Sequence, residues 1–267
     1  WFADTYAEMN PHVQDPMAVV TGKPVEVGGS LGREKATGQG VVDVIVETAP
    51  ELGINLKGAR VSVLGYGNVG SWSARLIAEK GSLVVAVADH TGALRDDKGF
   101  DTVKLAEYVA KTGGVAGYEK AGGTGTAISN KEFYQTKVDI MIPAALEQMI
   151  NEETASWIDC KVIAEGANAP TTPAGERLLL KKGVEILPAI LCNSGGVTVS
   201  YFEWVQNRQH RYWDIERVDE ELNRHMVMAA RRTNLARQRF GCDMRTAAYI
   251  AALEQIGKVY SVRGIFP

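Results

Sequence analysis

Arg60-Val-Ser-Val-Leu-Gly-Tyr-Gly-Asn-Val-Gly-Ser-Trp-Ser-Ala-Arg-Leu-Ile-Ala-Glu-Lys-Gly-Ser-Leu-Val-Val-Ala-Val-Ala-Asp89 is the stretch whose reading decides the fold. Val61, Val63 and Leu64 make a short buried strand. Val69, Trp72, Leu76 and Ile77 recur at helical spacing, and Gly81 stops that helix. Leu83 to Ala88 is a second apolar run, closed by Asp89. Between strand and helix, Gly65, Gly67 and Gly70 form Gly-X-Gly-X-X-Gly. Gly65 permits the tight turn, Gly67 lets a pyrophosphate approach the backbone, and Gly70 lets the helix pack close to the strand. The N–H groups and positive dipole end of that helix face the phosphates. Asp89 stands near the roughly 20-residue distance expected of an acid on the adenosine ribose. There it accepts from both ribose hydroxyls and repels a 2′-phosphate, which favours NAD over NADP. A lone glycine triplet would mark only a tight turn; the flanking strand, helix and acid make it a dinucleotide signal.

Working outward, strand and helix patterns alternate. Thr37 to Leu52 is helical and leads through Gly58 into the first strand. Gly92 to Gly99 reads as a hairpin or loop, Thr102 to Thr112 as a helix, and Gly113 to Gly125 as an exposed glycine-rich loop. Val138 to Ile142, Val162 to Ala164 and Val184 to Leu187 are strands, separated by helices over Glu152 to Trp157 and Ala174 to Lys182. This alternation predicts an α/β fold with a Rossmann-like, doubly wound parallel sheet. From Gly195 onward the pattern is helical only. Ile215, Val218, Leu222 and Met226 form one apolar stripe, with Asp214 as N-cap, and Tyr249, Leu253, Ile256 and Tyr260 form another. Core packing is the plain expectation for both.

The 267 residues suffice for one large or two small domains. A net charge of −3 with 23% charged residues does not mark a nucleic-acid binder or a membrane-surface protein, and no apolar run approaches a membrane span. No signal peptide is evident, and Trp1 in place of Met suggests that the chain does not begin at a native start. Cys160, Cys192 and Cys242 form no zinc or disulfide spacing, which fits a reducing cytoplasm. His12, His90, His210 and His225 are isolated and form no site, so no metal is expected. Arg208 to Arg217, Arg231-Arg232 and Arg237 to Arg239 read as solvated helix surface.

Several further segments carry a resemblance. Val20-Thr-Gly-Lys-Pro24, Gly28-Gly-Ser-Leu-Gly-Arg33, Ala36-Thr-Gly-Gln-Gly-Val41, Ala164-Glu-Gly-Ala-Asn-Ala-Pro-Thr-Thr172 and Asn193-Ser-Gly-Gly-Val-Thr-Val-Ser-Tyr-Phe-Glu203, together with the glycine turn, resemble the glutamate dehydrogenases of the Glu/Leu/Phe/Val dehydrogenase superfamily. The resemblance runs from Trp1 to Pro267. It implies the nucleotide-binding half of an NAD-dependent enzyme that converts L-glutamate to 2-oxoglutarate and ammonia, reversibly, in a cytoplasmic homo-hexamer. It implies that a lysine and an aspartate that perform the chemistry lie before Trp1, so that this chain alone is inactive. Residues 1–40 would be a substrate-domain remnant and hinge-side loop, 41–197 the Rossmann domain, and 198–267 a helical segment that packs on the substrate domain, leaving its stripes partly uncovered here.

Roles implied by the same resemblance follow position by position. Thr37 contacts the nicotinamide carboxamide, Asn68 and Val69 sit over the pyrophosphate, and Ala144 lines the adenosine side. Asn168 and Asn193 approach the nicotinamide, although either could be a turn residue. Ser200 bonds the substrate side-chain carboxylate, where spacing alone would make it a helix serine bonding back to its own backbone. Val197 lines that pocket, and Arg33 stands near the substrate carboxylates. A leucine- or phenylalanine-type dehydrogenase, or a nucleotide-binding module without catalysis, are the alternatives.

Overall fold

A computed structural model describes residues 1–264. In chain order the elements are α1 (Phe2–Met9), α2 (Ala36–Thr48), β1 (Arg60–Leu64), α3 (Asn68–Glu79), β2 (Leu83–Asp89), β3 (Gly92–Arg95), α4 (Thr102–Thr112), β4 (Thr126–Ile128) and α5 (Asn130–Gln135). They continue with β5 (Ile140–Pro143), α6 (Glu152–Trp157), β6 (Val162–Ala164), α7 (Pro173–Lys181), β7 (Glu185–Leu187), α8 (Ala189–Cys192), α9 (Gly195–Gln209), α10 (Ile215–Phe240) and α11 (Met244–Arg263). The strands form one sheet in the order β4-β3-β2-β1-β5-β6-β7. β2, β1, β5, β6 and β7 run parallel, and β3 and β4 extend the sheet antiparallel beyond β2.

Both faces of the sheet are buried, as parallel strands require. Val61, Val63, Ile140, Ile142 and Val162 point to one face, beneath α2, α3, α4, α9 and α10. Leu64, Val85, Met141 and Ile163 point to the other, beneath α5, α6 and α7. The sheet is therefore doubly wound, as the alternating pattern predicts. Helix bounds follow local chemistry: the Asp101 carboxylate accepts from Lys104 N at the start of α4, and Gly113 ends it at φ 86°. The glycines of Ala36-Thr-Gly-Gln-Gly-Val41 serve packing. A Cβ on Gly38 would lie 2.7 Å from Trp72 Cβ of α3, and one on Gly40 would lie 3.0 Å from the Gly195 backbone of α9.

Four expectations need correction. β4 and α5 have no counterpart in the hydrophobic pattern, because β4 has little apolar burial and α5 is only 6 residues long. The 113–125 segment is not simply exposed: Val115 and Tyr118 are buried against α4 and pin it to the sheet. Of the two stripes read as core packing, that of α10 is core, but Tyr249, Leu253, Ile256 and Tyr260 of α11 are 51–64% exposed, in line with the partly uncovered surface that the resemblance implies. α11 touches the rest of the described chain mainly through Met244, Ala247 and Ala248. Finally, four of the arginines read as solvated are ion-paired: Arg208 with Asp15 (3.0 Å), Arg231 with Glu47 of α2 (2.6 Å), Arg239 with Glu254 (3.0 Å) and Arg237 with Glu185 of β7; of these only Arg237 is largely withdrawn from solvent.

Residues 20–33 form a strap along α9. Buried Glu203 accepts from Gly22 N (2.9 Å) and Lys23 Nζ (2.6 Å), Asn207 donates to Gly28 O (2.7 Å), and Gln206 donates to Ser30 Oγ (3.0 Å). Carboxylate and ammonium are both withdrawn from water, which the pair tolerates because each has further partners: Nζ also donates to Val20 O (2.6 Å), and the carboxylate also accepts from two backbone N–H groups.

Candidate nucleotide and substrate groove

β1 lies between β2 and β5, so the crossovers leave it in opposite directions. A crevice opens at the carboxyl ends of the strands at such a switch point. The glycine turn sits there. Gly65 has φ 90°, and a Cβ on it would lie 2.7 Å from Ala145 Cα, so the turn needs both glycine's conformation and its size. A Cβ on Gly70 would lie 1.8 Å from Gly65 O, which fixes α3 hard against the strand end. Gly67 differs: its φ of −74° suits any residue, and no atom lies within 4 Å of where its Cβ would be. Nothing within the fold demands glycine there; a group approaching the backbone from outside would. α3 has no side-chain cap, so its first-turn N–H groups are available to an anion.

Two cavities meet at this edge. The first, about 790 Å³, is lined by Gly65, Gly67, Asp89, His90, Ala144 and Met149 among others. No lysine or arginine is among the described residues lining it. Asp89 is in place, but its carboxylate is already engaged: Oδ1 accepts from Thr91 N (2.7 Å) and Thr91 Oγ1 (2.5 Å), and Oδ2 accepts from Val115 N (2.9 Å). Three of about four acceptor positions are thus filled within the loop, leaving one open.

The second cavity, about 920 Å³, is lined by Arg33, Thr37, Val69, Asn168, Asn193 and Val197, among others. It shares Ala144, Ala145 and Leu146 with the first, so the two make one groove. Asn193 Nδ2 donates to Asn168 Oδ1 at 2.8 Å, tying the loop after β6 to the start of α9. Arg33 Nε donates to Ser200 Oγ at 3.1 Å, and Ser200 Oγ donates back to Gly196 O at 3.2 Å. Ser200 therefore makes the ordinary helix-serine bond and also meets Arg33. Val197 stands 67% exposed at the mouth.

Three predicted residues do not line either cavity. Gly70 is internal packing, Ser200 stands behind Arg33, and Asn68 donates to Glu34 O at 2.9 Å, bracing α3 against the strap. Two residues of the second cavity, Arg245 and Tyr249, were not anticipated. Arg245 is held by Glu176 (2.8 Å) and by fully buried Glu165 (2.8 Å), whose other oxygen accepts from Ala189 N. Burial pulls the Arg245 pKa down, but bonds to the two carboxylates outweigh it and hold it above the usual arginine value. One signal could have found this network: an acid directly after the buried strand Val162–Ala164 requires a cation.

The groove can now be set beside known proteins. The family model for glutamate/leucine/phenylalanine/valine dehydrogenase matches residues 28–264. The chain belongs to this dehydrogenase family. It is 44% identical to a glutamate dehydrogenase of Thermotoga maritima, over 100% of this chain and 63% of the relative. It is 42% identical to the NADP-specific glutamate dehydrogenase A1 of Halobacterium salinarum, again over 100% and 63%. Among solved structures, glutamate dehydrogenase from Peptoniphilus asaccharolyticus superposes with a TM-score of 0.85 at 34% identity, covering 100% of this chain and 62% of that one. The hetero-hexameric glutamate dehydrogenase from Thermus thermophilus, in its Leu-bound form, gives 0.89 at 30% identity, covering 100% and 62%. The chain thus spans about 63% of the length of the curated relatives it matches. One relative is NADP-specific, so membership of the dehydrogenase family leaves the choice between NAD and NADP to the groove itself. No helix among the described residues is long and apolar enough to cross a membrane.

Proposed function

We propose that this chain is the cofactor-binding portion of a glutamate dehydrogenase that prefers NAD to NADP. The observation that carries the proposal is the single groove, with the glycine cradle at one end and Arg33 backed by Ser200 at the other. When bound, the dinucleotide supplies the hydride acceptor or donor. The chain's own residues position and discriminate. Gly65, Gly67 and Gly70 with Val69 form the pyrophosphate seat. Asp89 and Ala144 border the adenosine side, while Thr37, Asn168 and Asn193 border the nicotinamide side. Asp89 with no lysine or arginine beside it disfavours a 2′-phosphate.

Arg33, held in place by Ser200, favours a dicarboxylic over an apolar amino acid, because a carboxylate in a poorly hydrated pocket must find donors. For this reason glutamate and 2-oxoglutarate are preferred to the leucine- and phenylalanine-type substrates. The lysine and aspartate of the chemical step, and the surfaces of a hexamer, are assigned to the part of the relatives' length this chain does not span. On this proposal residues 1–40, 41–197 and 198–267 act as hinge side, Rossmann domain and docking helices. Free Cys160 and Cys192, both buried with thiols pushed up by desolvation, fit a reducing, cytoplasmic setting.

Substitution in a complete enzyme tests the substrate half. Ser200→Ala removes the charge-assisted bond that holds Arg33 and should cost up to about 1.5–3 kcal/mol. The loss should fall on glutamate and 2-oxoglutarate, narrow the preference over norvaline and spare NAD. Unchanged glutamate kinetics with weakened NAD would show that this helix serves the wrong site.

A further inference from the structure

The doubled glycine Gly113-Gly114 and Thr91 have no part in the cofactor motif, yet they meet at its acidic residue. Thr91 Oγ1 donates to Asp89 Oδ1 (2.5 Å) and accepts from Ala116 N (3.1 Å), while Asp89 Oδ2 accepts from Val115 N (2.9 Å). A Cβ on Gly114 would lie 2.2 Å from Thr91 Cγ2, so the loop closes on Thr91 with room for glycine alone. One more bond holds the same loop, Tyr108 Oη donating to Ala116 O (2.8 Å), and the Thr112 hydroxyl is shared between Tyr108 O (2.9 Å) and Gly114 O (3.0 Å). Gly113, Thr91 and Asp89 all face the 790 Å³ cavity. The loop after α4 is therefore clasped to the tip of β2 and borders the space beside the acid through Gly113.

We propose that Thr91 is a positioning residue for cofactor specificity, fixing Asp89 and the Gly113–Ala116 loop so that the carboxylate offers a single acceptor to the adenosine ribose. This rests on the assignment of that cavity to adenosine. Thr91 fills both lone pairs of Oδ1 between its hydroxyl and its backbone N–H, leaving one acceptor position on Oδ2. A ribose therefore gains one strong bond to Asp89, from one hydroxyl. A 2′-phosphate meets a carboxylate that cannot rotate away and a loop that cannot retreat. Without the hydroxyl, Ala116 N loses its acceptor and Asp89 loses one of three donors. The loop and the carboxylate can then move apart, so NAD loses its positioned acceptor while NADP is relieved of crowding and repulsion.

The test is calorimetric titration of this chain with NAD, NADP, and NAD analogues lacking the 2′- or the 3′-hydroxyl of the adenosine ribose. In the unaltered chain, one deoxy analogue should bind within twofold of NAD and the other roughly ten- to hundredfold more weakly, the range of one hydrogen bond to a charged group. Equal losses for both would overturn the single-acceptor arrangement without any variant. Thr91→Val and Thr91→Ala should lower the NAD-to-NADP affinity ratio about fivefold or more, and Thr91→Ser should restore it. NAD and NADP weakening in parallel, an unmoved ratio, or failure of serine to restore it would reduce Thr91 to loop packing. Absence of NAD binding to the unaltered chain would instead sink the cofactor assignment itself, so the two failures are distinguishable.

Discussion

At the residue scale, buried polar groups divide into those the fold has satisfied and those it has not. Glu203 and Glu165 are completely buried and fully partnered. Asp43 of α2 is also buried, but one of its oxygens has no partner. Desolvation raises its pKa from 3.8 to about 6, against a lowering hydrogen bond from Asn223 and the charge of Lys80. The folded state thus holds this proton more tightly than the unfolded chain. Ionised Asp43 costs stability above pH 6, and the cost disappears as the pH falls from about 6 toward 3.8. Asp43→Asn should therefore stabilise the chain by about 1–3 kcal/mol at pH 8, with the gain vanishing near pH 4. Thermal unfolding of both proteins at the two pH values checks this; an equal difference at both would rule out the titration. The acid, its place on an amphipathic helix and the motif acids were all legible in the sequence. Which carboxylates have partners was not, because Lys23 reaches Glu203 and Arg245 reaches Glu165 across long sequence separations.

At the element scale, the glycine turn separates packing from ligand approach. Gly70 has Gly65 O 1.8 Å from where a Cβ would stand, whereas Gly67 has nothing within 4 Å. Gly70→Ala should force α3 away from β1 and lower stability by about 1–3 kcal/mol. Gly67→Ala should melt within a few degrees of the parent yet lose most of its cofactor affinity. Denaturant titration beside cofactor titration resolves the two; a strongly destabilised Gly67→Ala would mean that this glycine serves the fold. Strands β1, β2 and β6 and helices α3, α4 and α6 were readable because each pairs a clear apolar period with a cap or a glycine stop. β4 and α5 were not, since no residue of β4 is buried and the two buried residues of α5, Phe133 and Tyr134, are adjacent and set no period. One cue was present: Ser129 and Glu132 form a capping box, with Ser129 N donating to Glu132 at 2.7 Å.

At the scale of the whole molecule, the apolar surface is uneven. α11 exposes Tyr249, Leu253, Ile256, Val259, Tyr260 and Val262, and α9 adds Val197, Tyr201 and Trp204. The period of α11 is legible in the sequence, but what covers it is not, because a stripe looks the same whether its partner is in the chain or beyond it. The described chain should self-associate heterogeneously, and Leu253→Glu should raise its solubility with little change in melting temperature. Light scattering showing a clean hexamer of this chain at all concentrations would contradict that. The same chain should form no NADH from glutamate and NAD, since the proposed catalytic lysine and aspartate lie outside it; turnover above trace would show that the groove carries its own chemistry.

The groove as a dinucleotide site is the claim on which the rest depends, and direct titration of the chain with NAD and NADP tests it most closely. Each chain should bind one NAD, NADP more weakly by about 1–3 kcal/mol, and Gly67→Ala should abolish or greatly weaken binding. Absence of NAD binding, or NAD binding that Gly67→Ala leaves intact, would contradict it.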